Sequence, residues 1–417
     1  MKIKTVGNGN SWTVQAPPSK SYMNRALIIS ALSEGVSILR NPIFCDDTNF
    51  MIRALKDFGV KISIEADGVR VVGTGGKLKA PEKPVCVGNA GTAFRFLVSL
   101  SVLCDGKVIL DGDERMRQRP IEDLLNALKS LGVQVESTNG FPPVTIDGRG
   151  FRGGKATIKS DVSSQFISSL MMIAPYANEP IEITLAGKPT SLPYLDITID
   201  VMKRFGGKIK NNKYASFEIQ NKAKYKSTDY FIEGDASNAS YFMAAAAITK
   251  SEIRINGLNP DTSQGDIKFL SVLEEMGCTI FTEDDYVEVI GADLKAIDVN
   301  MNEIPDVVQT LAVISLFANG KSYIRNVANL RVKECDRLSA LAAELIKLGA
   351  NVTEMKDGLV IESRQIKSAL INTYNDHRMA MSFSILGLKV PGIEIENPEC
   401  VNKSFPDYWK VFKKTFY

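Results

Sequence analysis

Two kinds of hydrophobic pattern alternate along the chain. The first is a helix-like segment that closes on glycine and runs into a strand of alternating polarity, as in Ala54-Leu55-Lys56-Asp57-Phe58-Gly59-Val60-Lys61-Ile62. It recurs over 128–135, 201–209, 273–280 and 345–352, with glycines at Gly59, Gly132, Gly206, Gly277 and Gly349 and gaps of 73, 74, 71 and 72. Glycine at that place supplies a helix C-cap, because it adopts left-handed backbone without a Cβ clash. The residues after it alternate as a half-buried strand does.

The second pattern opens with small polar residues and then turns apolar, at Ser21, Gly91, Ser164, Ser237, Val307 and His377, with gaps of 70, 73, 73, 70 and 70. Segments such as 239–248 and 307–318 are apolar around most of their circumference, which predicts buried helices rather than amphipathic surface ones. A fixed period of this length marks an internal repeat. The sixth unit has its helix, expected over 405–416, but the chain ends before its closing strand, which the stretch 2–6 could supply. Both chain ends then share one domain, 1–16 with 233–417, and 17–232 is inserted as a second, each of three units. Helix N-termini carry unpaired amide donors and partial positive charge, so six of them opening on one side would attract phosphates and carboxylates in a cleft between similar halves. For any single opening ordinary N-capping is the better account, and the anion reading comes from the company those openings keep.

Composition changes this picture little. The 417 residues exceed what one core serves, and a net charge of +2 with 24% charged residues gives no general affinity for nucleic acid or anionic membrane. Any attraction for anions must come from local placement of Lys and Arg. Six scattered cysteines without a Cys-x-x-Cys pair and a lone histidine, His377, argue against structural zinc, and no metal or cofactor is expected. The N-terminus lacks a signal-like apolar run and no stretch is long enough to span a bilayer. A cytoplasmic protein with reduced thiols is expected.

Chemistry-bearing residues cluster at the helix openings. Pro17-Pro18-Ser19-Lys20-Ser21-Tyr22-Met23-Asn24-Arg25 places two cations and a hydroxyl within about one turn of a dipole-positive end, a phosphate cradle without the Walker spacing. Gly73-Thr74-Gly75-Gly76-Lys77 also fails that spacing and reads as a hairpin turn. Gly88-Asn89-Ala90-Gly91-Thr92-Ala93-Phe94-Arg95 has the glycine that lets a ligand approach backbone amides. The loop 111–120, holding Arg115, Arg117 and Arg119 before Pro120, reads as an anion site or as surface charge. Ser163-Ser164-Gln165 and Ser191 follow, whereas 234–241 reads as a plain capped helix with no chemistry. Asp306, after Pro305, and Glu334, between Lys333 and Arg337, are the acidic candidates: an ion-pair network, or one carboxylate that takes a hydroxyl proton and one held neutral that donates. Arg378 suits a carboxylate fork. His377 reads as an orienting group, and Lys403 precedes the last helix.

In this order the motifs resemble the 5-enolpyruvylshikimate-3-phosphate synthases, a branch of the enolpyruvyl transferase family, from Pro17 to Tyr408. The resemblance implies two inverted α/β barrels with helices inside, each of three βαβαββ units. It implies transfer of the enolpyruvyl group of phosphoenolpyruvate to the 5-hydroxyl of shikimate 3-phosphate, by a monomer. Lys20, Ser21, Arg25, Ser163, Ser164, Gln165, Ser191, Asp306, Asn329 and Lys333 would meet shikimate 3-phosphate, Asn329 being placed by its distance from Lys333. Lys20, Gly91, Arg119, Gln165, Arg337, Arg378 and Lys403 would meet phosphoenolpyruvate. Asp306 would be the base, Glu334 the acid, and Lys20 a third catalytic group.

Phe96 stands where many relatives have Pro, and Cys335 where Thr or Ser is usual. Neither carries a proposed charge, and both leave the response to glyphosate open. The sister enzyme that uses UDP-N-acetylglucosamine normally has a reactive cysteine in the loop before its Arg-Pro, and residues 111–118 contain none. A non-catalytic anion-binding protein on the same scaffold would not need Lys20, Asp306, Glu334 and Arg378 intact.

Overall fold

The glycine-closed segments are helices that end on left-handed backbone. Gly59, Gly132, Gly206, Gly277 and Gly349 have φ of 85°, 90°, 85°, 110° and 95°. They follow the helices Asp46–Asp57, Glu122–Ser130, Pro193–Arg204, Phe269–Glu275 and Arg337–Lys347, and each precedes a strand. A side chain at those angles would be strained, so the periodic glycine is a backbone requirement.

The second pattern gives the helices Lys20–Leu32, Gly91–Leu100, Ser164–Ile173, Ala236–Thr249, Val308–Ile314 and His377–Leu386. Every residue of Ala236–Thr249 is buried, as expected where helices are wrapped on all sides.

The computed structural model describes residues 1–417. It divides into a terminal unit, Met1–Pro17 with Glu233–Tyr417, and an inserted unit, Pro18–Ile232. Each has a separate apolar core. The inserted unit holds three four-stranded sheets, each made of a parallel pair extended by an antiparallel hairpin. In the first, Asp229–Phe231 runs parallel to Val36–Arg40, followed by antiparallel Gly68–Val72 and Lys61–Glu65. The terminal unit repeats this twice, in one case with Ser11–Gln15 parallel to Glu252–Asn256. Its third sheet has only Leu370–Ile371 and Glu394–Ile395. There the stretch expected as a strand over 2–6 pairs through one antiparallel bridge, Lys2 with Glu394. It then peels away, because Lys4 N–H donates to the Tyr417 hydroxyl and Val6 N–H to Leu388 O.

Contacts at equivalent depths show that inner helices within a unit run parallel. In the inserted unit Arg95 meets Gln165 near the helix starts and Ser99 meets Ser169 a turn further on. In the terminal unit Arg378 meets Asp306 and, four residues on in each segment, Ser382 meets Thr310, which also meets Ser240 at 3.1 Å. Parallel packing gathers three N-termini at one end of each unit.

Two expectations need correction. The segment 73–77 is not a hairpin between strands: Lys77 N–H bonds Thr74 O in a tight turn, while Thr74 N–H is drawn to Ala31 O at the end of an inner helix. The last helix is Tyr408–Phe416 rather than 405–416, since Pro406 keeps Phe405 out of helical backbone. No helix is long and apolar enough to cross a membrane.

Candidate functional site

In the inserted unit, Lys20 begins an inner helix, and its ammonium lies 2.9 Å from Asp47 Oδ2, in the first turn of the Asp46–Asp57 helix. One turn on, Arg25 is 1% exposed. Its guanidinium donates to Thr198 Oγ1 at 2.7 Å, Ser21 O at 2.9 Å and Tyr194 O at 3.0 Å, and lies over the Phe96 ring. All these partners are neutral. Burial pulls its pKa down to about 10, so it stays charged at neutral pH with no acid bonded to it. A buried cation of this kind is stabilised by binding an anion.

Gly91 starts the next inner helix, where a Cβ would lie 2.7 Å from Arg119 Nη1, Arg119 Nη2 and Arg95 Nη1. A side chain there would displace the two guanidinium groups that occupy the space. Arg119 is buried and bonds Asn89 Oδ1 at 3.1 Å. Arg95 donates to Gln165 Oε1 at 2.8 Å, and Gln165 Nε2 donates to Thr92 Oγ1 at 3.0 Å. Ser163 caps the third helix by accepting from Gln165 N–H, and Ser164 is buried in its first turn. Buried Ser191 has φ of 56°, left-handed backbone that an L side chain seldom adopts. Its carbonyl accepts from Tyr194 N–H, and Tyr194 O in turn holds Arg25.

The terminal unit places acids among its cations. Arg337, 1% exposed, donates to Asp376 Oδ2 at 2.7 Å, Glu334 Oε2 at 2.9 Å and Asp306 Oδ1 at 3.2 Å. Arg378 donates to the other oxygen of Asp306 at 2.7 Å and to the Tyr241 hydroxyl at 3.4 Å. Lys403 Nζ stands 3.9 Å from Glu334 Oε1. Burial alone would raise the pKa of Asp306, but Arg378, Lys333 and Arg337 together outweigh it and hold the group below the carboxylate range. Asn329 is buried in the turn before Lys333, and His377 Nδ1 is 3.7 Å from Asp376 Oδ1.

The expected site residues thus fall into two sets, one per unit. Sequence reasoning missed Asp47, Arg95, Asp376 and Tyr241 as members of them. Arg95 and Asp376 lie inside motifs already singled out, and Asp47 belongs to an acidic pair opening a helix, so a signal existed for those three. Tyr241 lies in the stretch read as a plain capped helix. Its only signal was its i, i+4 spacing from Ser237, which sets both on one helix face.

Comparison with known proteins gives these arrangements a context. A family model described as EPSP synthase (3-phosphoshikimate 1-carboxyvinyltransferase) matches residues 7–412. The chain is 44% identical over 409 residues to the 3-phosphoshikimate 1-carboxyvinyltransferase of Shewanella pealeana, covering 96% of each. It is 45% identical over 405 residues to that of Erwinia tasmaniensis, covering 95% of this chain and 94% of the relative. A solved EPSP synthase from Acinetobacter baumannii aligns with a TM-score of 0.83 at 26% identity, over 100% of this chain and 98% of that one.

Proposed function

Because the chain belongs to the EPSP synthase family, whose reaction joins shikimate 3-phosphate and phosphoenolpyruvate, we propose that residues of both sets bind the two anions and that the acids of the terminal set carry out the proton transfers. The enolpyruvyl group passes to the 5-hydroxyl of shikimate 3-phosphate and phosphate leaves. Both substrates are polyanions, and their mutual repulsion must be offset by fixed cations.

Lys20, Ser21, Arg25, Ser163, Ser164, Gln165, Ser191, Asn329 and Lys333 hold shikimate 3-phosphate in this reading. Lys20, Gly91, Arg119, Gln165, Arg337, Arg378 and Lys403 hold phosphoenolpyruvate. Asp306 accepts the proton of the 5-hydroxyl as its oxygen bonds to C2 of phosphoenolpyruvate, while Glu334 delivers a proton to the methylene carbon. The tetrahedral adduct then loses a methyl proton and phosphate, which restores the double bond.

One observation carries the assignment of the base: both oxygens of Asp306 are bound by Arg337 and Arg378. A carboxylate so held is a poor base. The phosphoenolpyruvate carboxylate presents the same group to the same guanidiniums, so its arrival frees Asp306 and strengthens it as a base when the second substrate is in place. The two units are the functional domains in this reading, the chain acts as a monomer, and its six free cysteines suit the reducing cytoplasm.

The test is phosphate release from shikimate 3-phosphate plus phosphoenolpyruvate in the presence of a chelator. Turnover with this acceptor and none with UDP-N-acetylglucosamine is expected. A folded sample that releases no phosphate would contradict the reading.

A further inference from the structure

A further buried carboxylate, outside the two residue sets, interacts electrostatically with both Asp306 and Arg378. Asp266, 3% exposed, lies in the turn Gly265–Lys268. It accepts a hydrogen bond from the hydroxyl of Ser237, in the first turn of the Ala236–Thr249 helix. One turn further along that helix, Tyr241 contacts the Arg378 guanidinium. The i, i+4 spacing of Ser237 and Tyr241 puts both on one helix face, so the same face carries Asp266 and braces Arg378.

We propose that Asp266 is a positioning residue for phosphoenolpyruvate, acting through Arg378: its charge state sets how strongly that guanidinium draws the substrate's carboxylate. The proposal rests on the assignment of Arg378 to phosphoenolpyruvate made above.

The charged groups around Asp266 make it sensitive to pH. Burial raises its pKa first, then the negative Asp306 and, more weakly, Asp235 at the helix cap; Arg378 and the Ser237 hydroxyl oppose them, and the balance lies at about 7. Lys268, on the same turn, faces outward to Glu303, and Glu274 and Glu275 of the following helix are exposed. The neutral form leaves Arg378 to Asp306 and the ligand. The ionised form adds a negative charge beside the guanidinium and weakens its field at the ligand. Two neighbouring carboxylates driven to opposite protonation states recur at sites built for proton control.

The test is the pH dependence of phosphoenolpyruvate binding and of its KM in wild type, Asp266→Asn and Ser237→Ala, between pH 6 and 9. Titration of the substrate's own phosphate cancels in the variant-to-wild-type ratio. Asp266→Asn, permanently neutral, is expected to match wild type at pH 6 and to bind about threefold more tightly at pH 9, a modest electrostatic coupling. Ser237→Ala removes a bond that favours the ionised form, so the alkaline weakening moves to higher pH, with the KM for shikimate 3-phosphate unmoved. A ratio constant across the range in both variants overturns the role of Asp266 while leaving the functional reading intact. Failure of the wild type to bind phosphoenolpyruvate at any pH overturns both.

Discussion

In the inserted unit Lys20, Arg25, Arg95 and Arg119 stand with one carboxylate, Asp47. In the terminal unit Arg337, Arg378, Lys333 and Lys403 are interleaved with Asp306, Glu334 and Asp376. The folds repeat, but the charge balance does not. An excess of buried cations is a receptor waiting for anions. A nearly neutral lattice of forks and acids instead keeps a carboxylate such as Asp306 ionised and tied to its cations until a ligand exchanges with it. In the proposed reading, the inserted unit contributes cations that hold anions, while the terminal unit contributes both cations that hold anions and the acids that move protons.

Substitutions can break this contrast. The largest effect is expected for Asp306→Asn, which keeps the shape of the acid but removes the base: kcat should fall by about a thousandfold, within the range for general base catalysis. Its KM for phosphoenolpyruvate should not rise, because Arg337 and Arg378 lose a competitor. Steady-state kinetics with each substrate varied would show the split. In the inserted unit the opposite split is expected. Arg119→Ala should lower kcat/KM for phosphoenolpyruvate by about a hundredfold, near 3 kcal/mol, carried mainly by KM.

Gly91→Ala comes next. Its methyl would sit 2.7 Å from two guanidiniums, so Arg119 and Arg95 must shift. The KM for phosphoenolpyruvate should rise roughly tenfold with kcat less affected, since misplacement within a preorganised site is felt strongly.

These predictions depend on geometry that the sequence revealed unevenly. The glycine period was legible because Gly59 and its four counterparts satisfy a local backbone requirement that recurs with each copy. The inner helices were legible because burial on every side leaves an apolar circumference. Asp306, Glu334 and Arg378 stood out by type and place. Pairing was not legible, because each partner lies on another element: Asp47 is 27 residues from Lys20, and Asp306 is 72 residues from Arg378. The weak sixth sheet was also hidden, because the competing bonds of Lys4 and Val6 are tertiary. Asp266 sits in a short turn with no periodic signal, and only its burial against Ser237 reveals it.

A last effect concerns stability rather than kinetics. The folded pKa of Asp266 is raised from 3.8 to about 7, so the folded state holds a proton that the unfolded state has lost between those values. The group costs nothing below about pH 4, and wild type loses stability relative to Asp266→Asn as pH rises to 7, with no further change above. Urea unfolding of both proteins at pH 4, 6 and 8 would measure this. An equal difference at all three values would show that Asp266 is not protonated in the folded chain.

The division of labour is tested most directly by titrating shikimate 3-phosphate into Glu334→Gln calorimetrically, beside wild type, and measuring kcat for both. Separate roles predict a dissociation constant within about threefold of wild type and a kcat at least about a hundredfold lower. Binding lost in proportion to turnover would contradict them, because an acid of the terminal unit would then be needed to hold the first anion.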